Sequence, residues 1–275
     1  MSYPSLQKPT LSGPFEAFGK YRSLTLALSK RELLGRYRGA TFGLFWSLIS
    51  PFLMLGVYTF AFGYIMKSRW PHTSDSTGEY ALILFVGLII HGYFAECLIR
   101  SPTLIVGNPN LVKRIIFPLE ILPWPMVLSA LFHVAANFIV FSCLHLVFKH
   151  YVPWTIIFLP VVLAPFVLFT MGVSWFMASL GVYIRDIPQV TGVIATAMLF
   201  LSSAIIPVDS LPPQYRLFFA MNPLSFIINQ AREVALWGNV PDFFGLALYA
   251  AGSFVVAYLG YAWFLKTKRG FADVI

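Results

Sequence analysis

The segment ELLGRYRGATFG, residues 32–43, contains the two side chains best suited to hold a ligand, Arg36 and Arg38. The planar guanidinium group of arginine can bind phosphate oxygens through two parallel hydrogen bonds. In an α-helix the two arginines would project about 200° apart, so both cannot point into one site. The sequence favours anchoring of the pair to lipid phosphates. It leaves open a ligand-binding role centred on Arg38.

Three glycines surround these arginines and recur at every fourth position: Gly35, Gly39 and Gly43. Glycine costs up to about 1 kcal/mol at each position of a helix, so three of them indicate that close approach matters. If residues 35–43 continue one helix, the glycines share a face. That face would let a neighbouring helix or a ligand come close to the backbone.

Other patterns that could do chemistry are missing from the sequence. The segment GPFEAFGKY, residues 13–21, has the wrong glycine spacing for a phosphate loop and carries Tyr21 where magnesium binding needs Ser or Thr. There is no H-E-x-x-H, C-x-x-C or G-x-S-x-G pattern. His133 and His145 are expected to be packed helix residues rather than ligands. No catalytic residue, metal site or cofactor bound by this chain is predicted.

The composition identifies an integral membrane protein. Of 275 residues, 58% are hydrophobic and only 11% are charged, and the mean hydropathy is +0.76. Soluble domains carry about a quarter charged residues. Six apolar runs are each long enough to cross about 30 Å of hydrocarbon. They lie near residues 42–66, 80–99, 123–148, 154–182, 189–207 and 243–265.

Residues 1–41 precede these spans and are expected to form a cytoplasmic segment with an amphipathic interfacial helix over 14–38. Leu24, Leu28 and Leu34 can share its apolar face. The segment has no early apolar core, so no cleavable signal peptide is predicted. The fold class is therefore an all-α membrane protein, with a six-span domain over residues 42–275.

The distribution of basic residues predicts the topology. With the N-terminus inside, fourteen Lys and Arg residues lie in inside segments and five lie outside. The positive-inside rule then places both termini in the cytoplasm. Because topology explains the net charge of +8, nucleic acid is not an expected partner.

Two segments between spans are expected to be helical without crossing the membrane. The first, 101–122, contains NPNLVKRIIF, a short helix begun by Asn108, whose apolar side needs cover from the bundle or from a partner. The second, 208–240, should be external and hold two short helices, with N-caps at Ser210 and Asn222 and a stop at Gly238. These helices either lie on the outer surface or gate a pore.

Four segments resemble the membrane subunits of type-2 ABC exporters of bacterial polysaccharides. They are RELLGRYRGATFGLFWSLISPFLMLGVYTFAFGYI, YIRDIPQV, MNPLSFIINQAREVALWG and the terminal KRGFADVI. Within that group the chain is most similar to Wzm-like O-antigen permeases of Gram-negative bacteria, with capsule and teichoic-acid permeases as relatives. The likeness runs over almost the whole chain and keeps its order.

This resemblance implies a homodimer in the bacterial inner membrane, with each chain bound to a separate ATPase that holds ATP and Mg. The cargo would be a polysaccharide on undecaprenyl diphosphate, moved from cytoplasm to periplasm. Residues expected to contact the ATPase are Asn108, Leu111, Lys113, Arg114, Ile115, Arg185 and Asp186. Those expected to form an external gate are Tyr215, Phe218, Asn222 and Arg232. Arg36 and Arg38 are expected to bind the substrate where it enters the protein, or to bind a lipid headgroup.

Two alternative functions remain at this point. The chain could be a related permease for another lipid, a drug, haem or a teichoic-acid-like polymer, which would share the fold. It could also be a membrane-embedded enzyme or a scaffold with no transport role, although an enzyme would need convergent catalytic groups that the sequence lacks. A neighbouring gene for an ATPase, with sugar-transferase genes nearby, would favour the polysaccharide exporter.

Overall fold

The computed structural model describes residues 13–65, 70, 77–113 and 117–275. Every regular element in these ranges is helical, which confirms the all-α prediction. The helices are α1 (Gly13–Lys20), α2 (Arg22–Arg36), α3 (Trp46–Tyr58), α4 (Thr77–Arg100), α5 (Pro109–Val112), α6 (Pro123–Lys149), α7 (Leu159–Tyr183), α8 (Ile187–Phe200), α9 (Pro213–Met221), α10 (Pro223–Arg232), α11 (Phe243–Thr267) and α12 (Phe271–Val274).

Five helical stretches of the described chain are long and apolar enough to cross a membrane. They are Gly43–Ile65, Gly78–Thr103, Leu119–Lys149, Trp154–Tyr183 and Phe243–Val274. The remaining predicted span, 189–207, is represented by the shorter apolar helix α8, which ends at Phe200. At 1.5 Å per residue, its 14 residues reach about 21 Å, less than the thickness of the hydrocarbon core.

The second span lies at the centre of the bundle and the first lies at its edge. Within an apolar 18-residue stretch of each span, 72% of the second span's stretch is buried inside the protein, but only 6% of the first span's. The first span therefore presents an apolar surface that lipid or another chain must cover.

The spans α7 and α11 pack closely against each other. A Cβ atom added to Gly260 would lie 2.1 Å from the carbonyl oxygen of Gly172. Neither glycine can be replaced without separating the two helices. Small residues at such a crossing are typical of helix packing in membranes.

The segment 14–38, where an interfacial helix is expected, folds as two helices, α1 and α2, which are separated at Tyr21. The α2 helix packs along α6 and buries Thr25 completely. Leu24 and Leu28 are half-buried as expected, whereas 47% of Leu34 is exposed. Leu24 and Leu28 therefore pack on the bundle, and Leu34 does not.

Residues 35–43 do not continue one helix, so the glycines do not share a helical face. The α2 helix ends at Arg36, and Gly39 and Gly43 have φ angles of +86° and +48°. These left-handed conformations suit glycine and break the helix, so the glycines build the turn into the first span. A Cβ atom added to either would meet nothing within 4 Å, so no close packing explains them.

The loop helices agree only in part with the sequence. Asn222 caps α10, since its Oδ1 accepts a hydrogen bond from the Leu224 amide at 2.9 Å, and Gly238 ends the following turn with φ of +73°. Ser210 is not a cap, because α9 begins at Pro213 and the Ser210 hydroxyl donates to the Pro207 carbonyl.

Candidate functional site

A cluster of charged side chains joins three helices at one end of the bundle. A carboxylate oxygen of Glu96 accepts hydrogen bonds from Arg36 at 2.5 Å and Arg100 at 3.2 Å. The other oxygen lies 3.2 Å from Nδ1 of His133. Arg100 also pairs with Glu32. We call these residues (Glu32, Arg36, Glu96, Arg100 and His133) the Glu96 cluster.

Helix geometry explains how distant residues meet in the Glu96 cluster. Glu96 and Arg100 lie one turn apart near the end of α4, which is the spacing of a helical ion pair. Arg36 is the last residue of α2, and packing of α2 along α6 brings it beside His133. Burial disfavours the charged guanidinium of Arg36. The hydrogen bond and the charge of Glu96 outweigh that cost and raise the pKa of Arg36 above its usual value.

His133 is bonded on both ring nitrogens. Its Nδ1 lies 2.9 Å from Arg36 and 3.2 Å from Glu96, and its Nε2 lies 3.0 Å from the Tyr37 hydroxyl. Nδ1 either accepts from Arg36 or donates to Glu96, according to the tautomer. His133 is thus a packed and bonded residue, as the sequence predicts, and it also belongs to a polar site.

A cavity of about 380 Å³ lies against this cluster, between α2, α3, α4 and α6. We call it the Glu96 cavity. Its volume falls in the range of about 300–1,000 Å³ that is typical of small-molecule sites. Its lining combines Arg36, Glu96 and His133 with Trp46 and Asn137. The Oδ1 atom of Asn137 is buried and accepts no hydrogen bond from a described residue.

The two predicted ligand arginines have different surroundings. Arg36 is bound to Glu96, whereas Arg38 is exposed and its side chain makes no hydrogen bond or ion pair with the described part of the chain. A free guanidinium group can bind phosphate oxygens at once, but Arg36 would first have to leave a carboxylate. The two arginines therefore have different roles available to them. Only Arg38 is free to bind a phosphate, and whether that phosphate belongs to a lipid or to a ligand is left to experiment.

The structure brings together the two loops that contain the expected ATPase contacts. Pro102 packs on α7, and a Cβ atom added to Gly181 would lie 2.2 Å from its carbonyl oxygen. Arg185 and Asp186 follow directly and are exposed. The first loop, 101–122, and the loop at 183–189, where α7 is joined to α8, therefore share one surface.

In the first loop, helix α5 is short. The side chain of Asn108 donates to the Leu104 carbonyl at 2.9 Å instead of capping α5. Leu111 is half-buried against the bundle, and Lys113 is exposed. Arg114 and Ile115 lie outside the described residues.

The residues expected to form an external gate occupy two environments. Tyr215 and Phe218 on α9 are 50% and 72% exposed. They line an apolar groove of about 510 Å³, together with Asn222. Arg232 is fully buried on α10.

Arg232 binds backbone atoms of other elements. Its guanidinium donates to the carbonyls of Ile83 at 3.0 Å, Ser203 at 2.7 Å and Ala204 at 3.0 Å, and it lies over the ring of Trp70 at 4.3 Å. These bonds tie the turn after α8 to the start of α4.

Two groups of interacting residues were not predicted from the sequence. Lys268 pairs with Glu120 at 2.5 Å, and Tyr183 donates to the Thr267 carbonyl at 2.8 Å, so the C-terminal tail is fastened to the bundle. The other group consists of Arg36, His133 and Asn137, which line one cavity. The only sequence signal was the presence of polar residues in otherwise apolar runs.

Replacement of Glu96 by Gln is expected to loosen α2 from the bundle. The change leaves Arg36 and Arg100 without a shared counter-charge, which costs about 1–2 kcal/mol for partly exposed groups. We expect a lower melting temperature and faster amide hydrogen exchange over residues 22–36. Glu79→Gln is the control, because Glu79 pairs with Lys149 at the other end of the bundle. Unchanged exchange in Glu96→Gln would contradict the role assigned to the cluster.

The sequence matches known membrane proteins over most of its length. A family model described as "ABC-2 type transporter" matches residues 23–236. An O-antigen export system permease protein of Myxococcus xanthus is 24% identical over 258 residues, which are 93% of this chain and 96% of that protein. A protein of the same description from Klebsiella pneumoniae is 25% identical over 254 residues, 92% of this chain and 95% of that protein. A polysialic acid transport protein of Escherichia coli is 23% identical over 86% of this chain and 90% of that protein.

Proposed function

We propose that the chain, which belongs to the family of ABC-2 type transporters, is the membrane subunit of an ATP-driven exporter of a bacterial surface polysaccharide. The observation that carries this proposal is the match to polysaccharide permeases from three organisms over 86–93% of the chain. The described helices support it, because the bundle has the spans of a multi-pass permease. The chain itself is not the ATPase of such a transporter.

The cargo that we propose is an O-antigen-like polysaccharide on undecaprenyl diphosphate, moved from the cytoplasm to the periplasm. Such a molecule has an apolar tail, a diphosphate at the membrane surface and a hydroxyl-rich chain. The exposed guanidinium of Arg38 supports this proposal, because it is free to bind a phosphate at the point where the chain enters the first span. The Glu96 cavity adds a polar space beside that point.

We propose two protein partners, a separate ATPase and a second copy of this chain. The shared surface of the first loop and the 183–189 loop is suited to the ATPase. The apolar first span, of which little is buried within the chain, is suited to lipid or to a second copy. ATP and Mg would bind to the ATPase only.

The proposed location is the bacterial inner membrane, with both termini in the cytoplasm. Support comes from the split of fourteen basic residues inside and five outside. The Glu96 cluster and the Lys268–Glu120 pair would then lie at the cytoplasmic end. Labelling of single cysteines in a chain without Cys97 and Cys143 tests this orientation. Labelling of the Lys266 region from outside the cell would contradict it.

Substitution of Arg38 distinguishes anchoring from binding of the diphosphate. Lysine keeps the charge and should preserve an anchor, but it loses the two-pronged geometry that suits phosphate. If Arg38 binds the diphosphate, Arg38→Lys and Arg38→Gln should both reduce export at least fivefold, with insertion unchanged. Normal export by Arg38→Gln would show that export does not need this arginine. Lys30→Gln on α2 is the matched control, since Lys30 is also exposed.

Loss of the gene tests the function as a whole. The expected result is absence of surface polysaccharide together with cytoplasmic accumulation of its lipid-linked form. A plasmid copy of the gene should reverse both effects. Unchanged surface polysaccharide would contradict the proposal, and would favour a permease for another lipid or drug or a scaffold.

A further inference from the structure

We propose that the Glu96 cavity binds a neutral sugar ring, the one nearest the diphosphate of the lipid-linked cargo. This inference rests on the proposed function, because it assumes that the cargo is a glycan. Asn137 and Trp46 would bind the sugar in this cavity, whereas the diphosphate would bind outside it.

The balance of charge argues against a phosphate inside the cavity. Two guanidinium groups, Arg36 and Arg100, are matched by two carboxylates, Glu32 and Glu96. A diphosphate in the cavity would lie against Glu96. To bind Arg36, it would have to break the 2.5 Å bond between Arg36 and Glu96. Repulsion between like charges and the loss of that bond both oppose such binding.

A neutral hydroxylated ring fits the same lining without these costs. Each sugar hydroxyl is both a donor and an acceptor, and the cavity offers both kinds of partner. Arg36 has further N–H donors, and Glu96 has acceptor positions on both oxygens. The buried Oδ1 of Asn137 has no donor within the described chain, so a ligand hydroxyl would satisfy it.

The walls of the cavity suit a sugar ring as well as its hydroxyls. Trp46 lines the cavity on the α3 side. The face of an indole ring carries partial negative charge, so it attracts the weakly positive C–H groups of a pyranose. The cavity begins at the Glu96 cluster and reaches Asn137, which lies one helical turn beyond His133 on α6. Polar groups inside a membrane bundle usually mark a substrate path.

Binding of two related lipids tests the proposal directly. The transporter complex in lipid nanodiscs is titrated with undecaprenyl diphosphate carrying one hexose and with undecaprenyl diphosphate alone. We expect the sugar-bearing lipid to bind at least tenfold more tightly. Asn137→Leu should remove most of this preference and leave the affinity for the bare lipid unchanged. Ser142→Ala, on the same helix and outside the cavity, should change neither affinity.

A second pair of variants guards against misfolding of Asn137→Leu. Trp46→Leu should also reduce the preference for the sugar-bearing lipid, and Trp46→Phe should restore it, because phenylalanine again offers an aromatic face. Retention of full preference by Asn137→Leu and Trp46→Leu would overturn the proposal.

The remaining outcomes separate this proposal from the proposed function. Equal affinity for the two lipids would overturn the sugar site and leave a lipid-linked cargo in place. A loss of affinity for bare undecaprenyl diphosphate in Asn137→Leu would identify the cavity as a phosphate site instead. Binding of neither lipid would contradict the proposed cargo, and the sugar site with it. Displacement of the sugar-bearing lipid by phosphatidylglycerol would identify a headgroup site and overturn the proposal.

Discussion

Replacement of Arg232 by leucine is expected to remove most of the folded protein from the membrane. The guanidinium of Arg232 donates hydrogen bonds to the carbonyls of Ile83, Ser203 and Ala204, all at 3.0 Å or less. Leucine would remove all three bonds and leave the buried carbonyls of Ser203 and Ala204 without the donor that Arg232 supplies, at a cost of about 1–3 kcal/mol each. Because folded proteins are stable by only about 5–15 kcal/mol, this loss should be visible as low yield.

The yield of monodisperse protein after extraction, and its melting temperature, measure this effect. Arg232→Lys should recover only part of the stability, since one ammonium group cannot reach three carbonyls in the same geometry. Arg185→Leu is the control for loss of an arginine, because Arg185 is exposed. A melting temperature for Arg232→Leu within about 2 °C of the original would contradict the bracing role that the structure assigns to Arg232.

Replacement of Leu111 by Asp is expected to uncouple the proposed ATPase from export. Leu111 lies on α5 and is half-buried, while the next residue, Val112, is buried in the bundle. The remaining surface of Leu111 is available to a partner. A carboxylate there would meet an apolar contact without a counter-charge, which is unfavourable. We expect at least a tenfold loss of export, with normal membrane insertion.

The ATP hydrolysis rate of the complex shows whether the loss is due to uncoupling. Stimulation of hydrolysis by cargo should disappear in Leu111→Asp, while the basal rate of the ATPase persists. Leu111→Met is the matched control, since it keeps an apolar side chain of similar volume. Cargo-stimulated hydrolysis and export at normal levels in Leu111→Asp would exclude α5 as the coupling element.

Local patterns in the sequence predicted the parts of this structure that depend on neighbouring residues. The cap at Asn222 follows from its residue type and the proline after it. The spans follow from long apolar runs. These features need only the geometry of a helix and the chemistry of the bilayer.

Features that depend on tertiary packing could not be predicted in the same way. Arg36 and Glu96 are 60 positions apart, and His133 is a further 37 along the chain. Only the packing of α2 and α4 on α6 brings them together. The bonds of Arg232 to the carbonyls of Ile83 and Ser203 likewise join positions 149 and 29 residues apart.

The glycine pattern shows how one spacing can support two structures. Glycines at every fourth position can form a packing face on a helix, or they can supply positive φ angles in a turn. The sequence does not distinguish these uses, because the spacing is the same in both. The φ angles of Gly39 and Gly43 establish the second use here.

Transport by purified components tests the central claim most directly. The chain and the proposed ATPase are reconstituted into vesicles with the ATPase outside, and lipid-linked polysaccharide is added to the outer leaflet. The account predicts that ATP makes the glycan inaccessible to an external glycosidase, and that an ATPase unable to hydrolyse ATP does not. Glycan that stays fully accessible in the presence of ATP, while the complex hydrolyses ATP normally, would contradict export of polysaccharide by this protein.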